Sequence, residues 1–164
     1  MFDLIKHLNE NNIEYAVSDL GDITVYDNLY LRNRGVDALP DNLTVGGRLD
    51  LRCNPITKLP KNLSVLRTVD LCDSCITEIP DNLEIVDGDL LLDSSHLKKL
   101  PDNLFVEGDL RITGTPITTL PENLGVRGVL DLRGTRITKL PGSLAAGKIL
   151  CDKSIQTTGR SYWV

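Results

Sequence analysis

Aromatic side chains are scarce in this sequence: two Phe, four Tyr and one Trp among 164 residues. There is little from which to build the stacking surfaces that hold single-stranded nucleic acid, and the core has to be aliphatic. A basic excess is missing too, because 18 Lys and Arg face 23 Asp and Glu, for a net charge of −5. Nucleic acids and anionic membranes need a basic surface, so neither is expected as a partner. No apolar run approaches the roughly 18 residues of a spanning helix. The opening stretch MFDLIKHLNENN lacks a long apolar segment with a small-residue cleavage site, so no secretory signal is expected. Four cysteines are too few for a disulfide scaffold and point to reduced thiols inside a cell.

Catalytic signatures are absent as well. The sequence has no G-x-S-x-G, no P-loop and no H-E-x-x-H. Its two histidines are His7, in an N-terminal amphipathic stretch, and His96, at a surface bend position; neither is placed beside a nucleophile. No catalytic residue, cofactor or resident metal is expected. The C-x-x-C of Cys72 and Cys75 raises a redox dithiol or half of a zinc site as possibilities.

What the sequence does have is a repeat. Leu39-Pro40, Leu59-Pro60, Ile79-Pro80, Leu100-Pro101, Leu120-Pro121 and Leu140-Pro141 recur at steps of 20, 20, 21, 20 and 20. One unit reads LPDNLTVGGRLDLRCNPITK. The single extra residue is placed near Glu84-Ile85, between Leu83 and Val86. Six columns of each unit are apolar. Two of them, typified by Leu49 and Leu51, lie two residues apart with polar flanks, the period of a strand buried on one face. The proline half predicts an irregular turn, because proline lacks an N–H and fixes φ. A coil with one strand cannot bury its own apolar edge, so the coils are expected to stack into a right-handed solenoid with a short parallel sheet on its concave side.

This pattern resembles the leucine-rich repeat family, whose L-x-x-L-x-L-x-x-N-x-L signature is matched from Gly46 to Ile56 by GGRLDLRCNPI, with glycine in the first leucine position. The short unit with L-P is similar to the bacterial and phage type. The ladder asparagine of the family stands only at Asn54; Ser74, Ser95, Thr115 and Thr135 replace it. A second series, Asn42, Asn62, Asn82, Asn103 and Asn123, is expected to satisfy convex-side backbone groups. Residues 1–22 are expected to form an N-terminal cap of helix plus hairpin, 23–146 the solenoid of about six coils, and 147–164 a C-terminal cap or tail, all in one domain.

Strand alternation names the residues that point outward from the concave sheet. They include Tyr30, Arg32, Arg48, Asp50, Arg52, Asp70, Cys72, Asp89, Leu91, Asp93, Asp109, Arg111, Asp131 and Arg133, with Asp73 just past the strand end. Arginines flank a centre rich in aspartate, and Asp beside Asp on adjacent strands is expected to cost stability. Asp–Arg pairing across the strands is the plain alternative. In this register Cys72 faces outward and Cys75 lies past the bend, so the two thiols diverge, and Cys53 is the nearer partner of Cys72. The expected function is a non-enzymatic module that binds another protein, one with a basic centre, through the concave sheet. The resemblance implies a protein of the cytoplasm of a bacterial cell or infected bacterial host, of which inhibition of a host factor is one use. The rivals are a homo-oligomeric structural protein, joined weakly through the C-terminal tail with Tyr162 and Trp163 or through an edge strand, and a divalent-metal or small-ligand binder.

Overall fold

The computed structural model describes residues 2–155, and the tail with Tyr162 and Trp163 lies outside the described residues. Helix α1 (Leu4–Glu10) begins where Asp3 Oδ1 accepts the Lys6 N–H at 3.0 Å, and it buries Leu4 and Leu8. A hairpin follows, in which β1 (Tyr15–Val17) runs antiparallel to β2 (Ile23–Val25). From there the chain winds as a parallel β-solenoid of about six turns, with very little helix. Its next strands are β3 (Leu29–Tyr30), β4 (Leu43–Val45), β5 (Leu49–Asp50), β6 (Ser64–Val65), β7 (Val69–Asp70) and β8 (Glu84–Ile85). The remainder are β9 (Leu90–Leu91), β10 (Phe105–Val106), β11 (Leu110–Arg111), β12 (Gly125–Asp131) and β13 (Ala145–Leu150).

The strands form two sheets rather than one. The first runs β1-β2-β4-β6-β8, and the second runs β3-β5-β7-β9-β11-β12, with β10 and β13 also joined to β12. The second sheet is the one expected from the two-residue period, and Leu29, Leu49, Val69, Leu90, Leu110 and Leu130 on its inner side have no exposure. The first sheet corrects the expectation of an irregular proline-containing arc. Proline stays outside it: Pro40 precedes β4 by three residues, and Leu43, Thr44 and Val45 alternate buried, exposed, buried. The N-L-x-V segments find their hydrogen-bond partners on neighbouring coils, as in Leu43 beside Ile23 and Val45 beside Val65.

The extra residue also sits elsewhere than expected. Ser64 pairs with Glu84 and Val65 with Ile85, so Ile85 keeps the inward position while Val86 stands 48% exposed. The insertion therefore follows Ile85. Beyond it β8 and β10 do not pair, and the first sheet ends at β8.

The asparagine series is a further correction. Asn62 Nδ2 donates to Asn42 Oδ1 at 2.8 Å, Asn82 Nδ2 to Asn62 Oδ1 at 2.6 Å, and Asn123 Nδ2 to Asn103 Oδ1 at 3.1 Å. These exposed amides bond one another along the stack rather than the backbone. Asn42, Asn62 and Asn103 also have φ of 58°, 54° and 59°, the left-handed region that asparagine tolerates.

A second left-handed column ends the strands of the second sheet. Asn33, Cys53, Asp73 and Ser94 have φ of 52° to 56°, and Gly114 and Gly134 have 67° and 70°. Cysteine has no side-chain means of easing this conformation, whereas glycine carries no Cβ penalty there. Cys53→Gly is therefore expected to raise stability by roughly 0.5–1 kcal/mol, read as a higher denaturant midpoint. A lowered midpoint contradicts the assignment of strain to Cys53.

Candidate functional site

The outward face of the second sheet carries the charged residues anticipated from the sequence, and most of the carboxylates are already engaged. Asp50, Asp70 and Asp131 are only 2–3% exposed. Arg52 forks onto Asp50, with Nε 2.9 Å from Oδ1 and Nη2 2.5 Å from Oδ2. Arg133 repeats the fork on Asp131, at 2.9 and 2.5 Å. Arg48 donates through Nη2 to Asp70 Oδ2, which also lies 3.4 Å from Arg52 Nε. Each of these carboxylates in addition accepts the backbone N–H two residues on, from Arg52, Cys72 and Arg133 at 3.1 to 3.2 Å. The spacing is a strand period, so Asp and Arg of D-L-R share a face. At Asp50–Arg52 and Asp131–Arg133 the arginine folds back over its own aspartate, whereas Arg111 of the third D-L-R reaches Asp93 on the coil before. Asp50 and Asp70 do stand side by side on β5 and β7. The expected repulsion is offset, because Arg48 and Arg52 bracket the two.

The charges respond to this packing. Burial by itself raises the Asp50 and Asp131 carboxyls, but the hydrogen bonds and charge of Arg52 and Arg133 outweigh it and hold both below the ordinary carboxylate value. Arg52 is correspondingly held charged, chiefly by its hydrogen bond to Asp50. A folded-state pKa below the unfolded one adds stability above the unfolded value, and that stability is lost as pH falls through the lower folded value. Melting temperature is thus expected to drop below about pH 4. An Asp50→Asn/Asp131→Asn double variant should melt lower at neutral pH and show a shallower acid decline. Parallel acid profiles for the two proteins would show that these pairs carry no acid sensitivity.

Other acidic residues serve the stacking of the coils. Asp89 Oδ1 accepts the Asp109 N–H at 2.8 Å and Asp109 Oδ1 accepts the Val129 N–H at 2.7 Å, just as Asn28 Oδ1 accepts the Arg48 N–H at 2.7 Å. This explains the glycine before the strand. A Cβ on Gly108 or Gly128 would lie 2.3 Å from the carboxylate oxygen of the coil before, and one on Gly47 would lie 2.4 Å from Asn28 Oδ1. Asp93 takes the Thr113 N–H at 3.0 Å and Arg111 Nη2 at 2.6 Å. Asp73 stands exposed in the left-handed column.

The face shown to solvent is therefore mainly arginine. Arg48 and Arg52 side chains are each 34% exposed, Arg111 49% and Arg133 58%. Arg32 and Tyr30 are exposed at its N-terminal end, and Leu91 is half-buried in the middle. What the sequence reading missed is the engagement of the aspartates, for which the D-L-R of Asp50–Arg52 and Asp131–Arg133 and the glycines Gly108 and Gly128 were the available signals.

The cysteines lack the features of a redox pair. All four are free thiols. Cys72 is half-buried, and burial together with Asp70 pushes its thiol up to about 12, so it stays protonated at neutral pH. Among the described residues no three His, Cys, Asp or Glu side chains are grouped to hold a metal ion. No described helix is long and apolar enough to cross a membrane.

Fold and face together define a parallel β-solenoid that displays an ordered, arginine-rich sheet surface. No family model and no curated protein matches this chain.

Proposed function

We propose that this chain is a non-enzymatic protein-binding module of the leucine-rich repeat type, with α1 and the hairpin as its N-terminal cap. The outward face of the second sheet is its partner surface. The observation that carries this reading is the row of guanidinium groups held by carboxylates: Arg52 on Asp50, Arg48 on Asp70, Arg111 on Asp93 and Arg133 on Asp131. Arginine is favoured at interfaces, and side chains already fixed in the free protein lose less entropy when a partner binds. Tyr30 adds an exposed aromatic at one end. The 20-residue coil, the two-residue apolar period and the buried Asn54 support the repeat type.

The exposed arginines disfavour a partner with a basic centre, for which Asp73 is the exposed carboxylate of the face. The carboxylates of Asp70, Asp89, Asp93 and Asp109 already hold ligands within the chain, so the proposal rests on the arginines and Tyr30. The setting is the bacterial cytoplasm, where such a module acts by occupying a host protein.

The test is capture from a bacterial lysate on the immobilised chain. Wild type is compared with a Tyr30→Ala/Arg111→Ala/Arg133→Ala variant, and with a Thr44→Ala/Ser64→Ala control on the first sheet. A protein retained by wild type and control but lost by the face variant supports the proposal. The same proteins on all three supports would sink it.

A further inference from the structure

Charge is unevenly spread along this chain. Residues 1–31 hold six acidic residues, Asp3, Glu10, Glu14, Asp19, Asp22 and Asp27, against Lys6 as the one basic residue. That segment carries −5, and the other 17 acidic and 17 basic residues cancel. Arg32 and Arg34 of the first coil lie at the same end, and with them and Asp37 residues 1–37 still carry −4 of the net −5, so most of the net charge sits at one end of the solenoid.

The same end presents an open strand. β1 is the terminal strand of the first sheet and pairs only with β2 among the described strands. The Tyr26 N–H donates to Glu14 O and the Ser18 N–H to Asp22 O, with Ala16 opposite Thr24 between them. Antiparallel pairing alternates, so Glu14, Ala16 and Ser18 direct their backbone groups at β2. Tyr15 and Val17 direct theirs the opposite way, along the outer edge. Exposed edges are ordinarily blunted by lysine or proline, and β1 has neither. Apolar surface lies beside it, with Val17 53% and Leu20 90% exposed. A concavity on the outward face of the first sheet reaches from Val17 and Ser18 across Thr24 and Thr44 to Asn62.

We propose that the outer edge of β1 takes an extended, basic segment of a partner protein by strand addition, a second binding surface distinct from the face of the second sheet. Main-chain bonds to Tyr15 and Val17 supply register, a side chain covering Val17 buries apolar area, and Lys or Arg flanking it meets Glu14 and Asp19. A second copy of this chain is disfavoured as occupant, because edge-to-edge pairing brings together two ends of about −4 each.

The test uses a short synthetic peptide alternating Val with Lys and Arg, and a counterpart with Glu in the basic positions, titrated into the full chain by fluorescence anisotropy. The basic peptide is expected to bind, to weaken as salt is raised, and to slow hydrogen exchange at the Tyr15 and Val17 amides; the acidic peptide is not. Val17→Pro removes an outward N–H that β2 does not use, and proline is tolerated on an edge strand. It should weaken the basic peptide by at least about tenfold. If that variant fails to fold, methylation of alternate peptide amides asks the same question of wild type, with the same loss expected for one parity only. Four results would overturn the proposal: no binding of the basic peptide, equal binding of the acidic one, no effect of either block, or a dimer in sedimentation that Val17→Pro dissolves.

Discussion

Replacing Asn54 by alanine is expected to lower stability by about 4 kcal/mol, near the top of the range for a single substitution. Asn54 is 3% exposed and its amide makes five hydrogen bonds. Nδ2 donates to the carbonyls of Leu31, Leu51 and Arg52, and Oδ1 accepts the N–H groups of Arg34 and Val36. Truncation leaves several buried backbone groups of two adjacent coils without partners, at about 1–3 kcal/mol each before relaxation. Ser95, in the same column, provides the comparison. Its Oγ is buried with no hydrogen-bond partner, so Ser95→Ala should be neutral or slightly stabilising. Denaturant titration of both variants measures the difference. Equal losses at the two sites would show that the column contributes by packing alone.

Leu71→Ala is the second large effect, at about 2–5 kcal/mol. Leu71 has no exposure and sits in the inner column between Leu51 and Leu92, which are also fully buried. Coils of a solenoid contact only their neighbours, so a cavity at this middle coil weakens both of its interfaces. Thermal melts of the variant give the result. Melting with wild type would mean that the register of the second sheet is wrong.

The second sheet was legible because its signal is local. Leu49, Asp50 and Leu51 alternate within one unit, and every coil repeats them. The first sheet was not, since Leu43, Thr44 and Val45 follow a proline and an asparagine and fit a turn equally well. Only stacking supplies their hydrogen-bond partners. At the insertion, Ile85 and Val86 are both apolar, and composition does not decide between them. The alternation from buried-side Leu83 through exposed Glu84 does, and it selects Ile85.

The candidate site was legible in membership but not in state. Period two placed Asp50, Asp70 and Asp131 on the outer side of their strands, from which exposure was expected. Arg52 and Arg133 instead fold over their aspartates, and the carboxylates end up buried. Asp89 and Asp109 turn to backbone amides of the next coil, an arrangement that needs Gly108 and Gly128 for clearance. The acidic centre of the sequence is thus largely internal structure, and the unbalanced charge lies at the N-terminal end.

A partner bound on the arginine-bearing face of the second sheet perturbs the backbone amides of that face. Backbone amide shift mapping of the labelled chain, titrated with the partner recovered by capture, tests it most directly. The largest shifts are expected at Tyr30, Arg32, Arg48, Arg52, Arg111 and Arg133. Largest shifts along Thr24, Thr44, Ser64 and Glu84, the outer column of the first sheet, would contradict it.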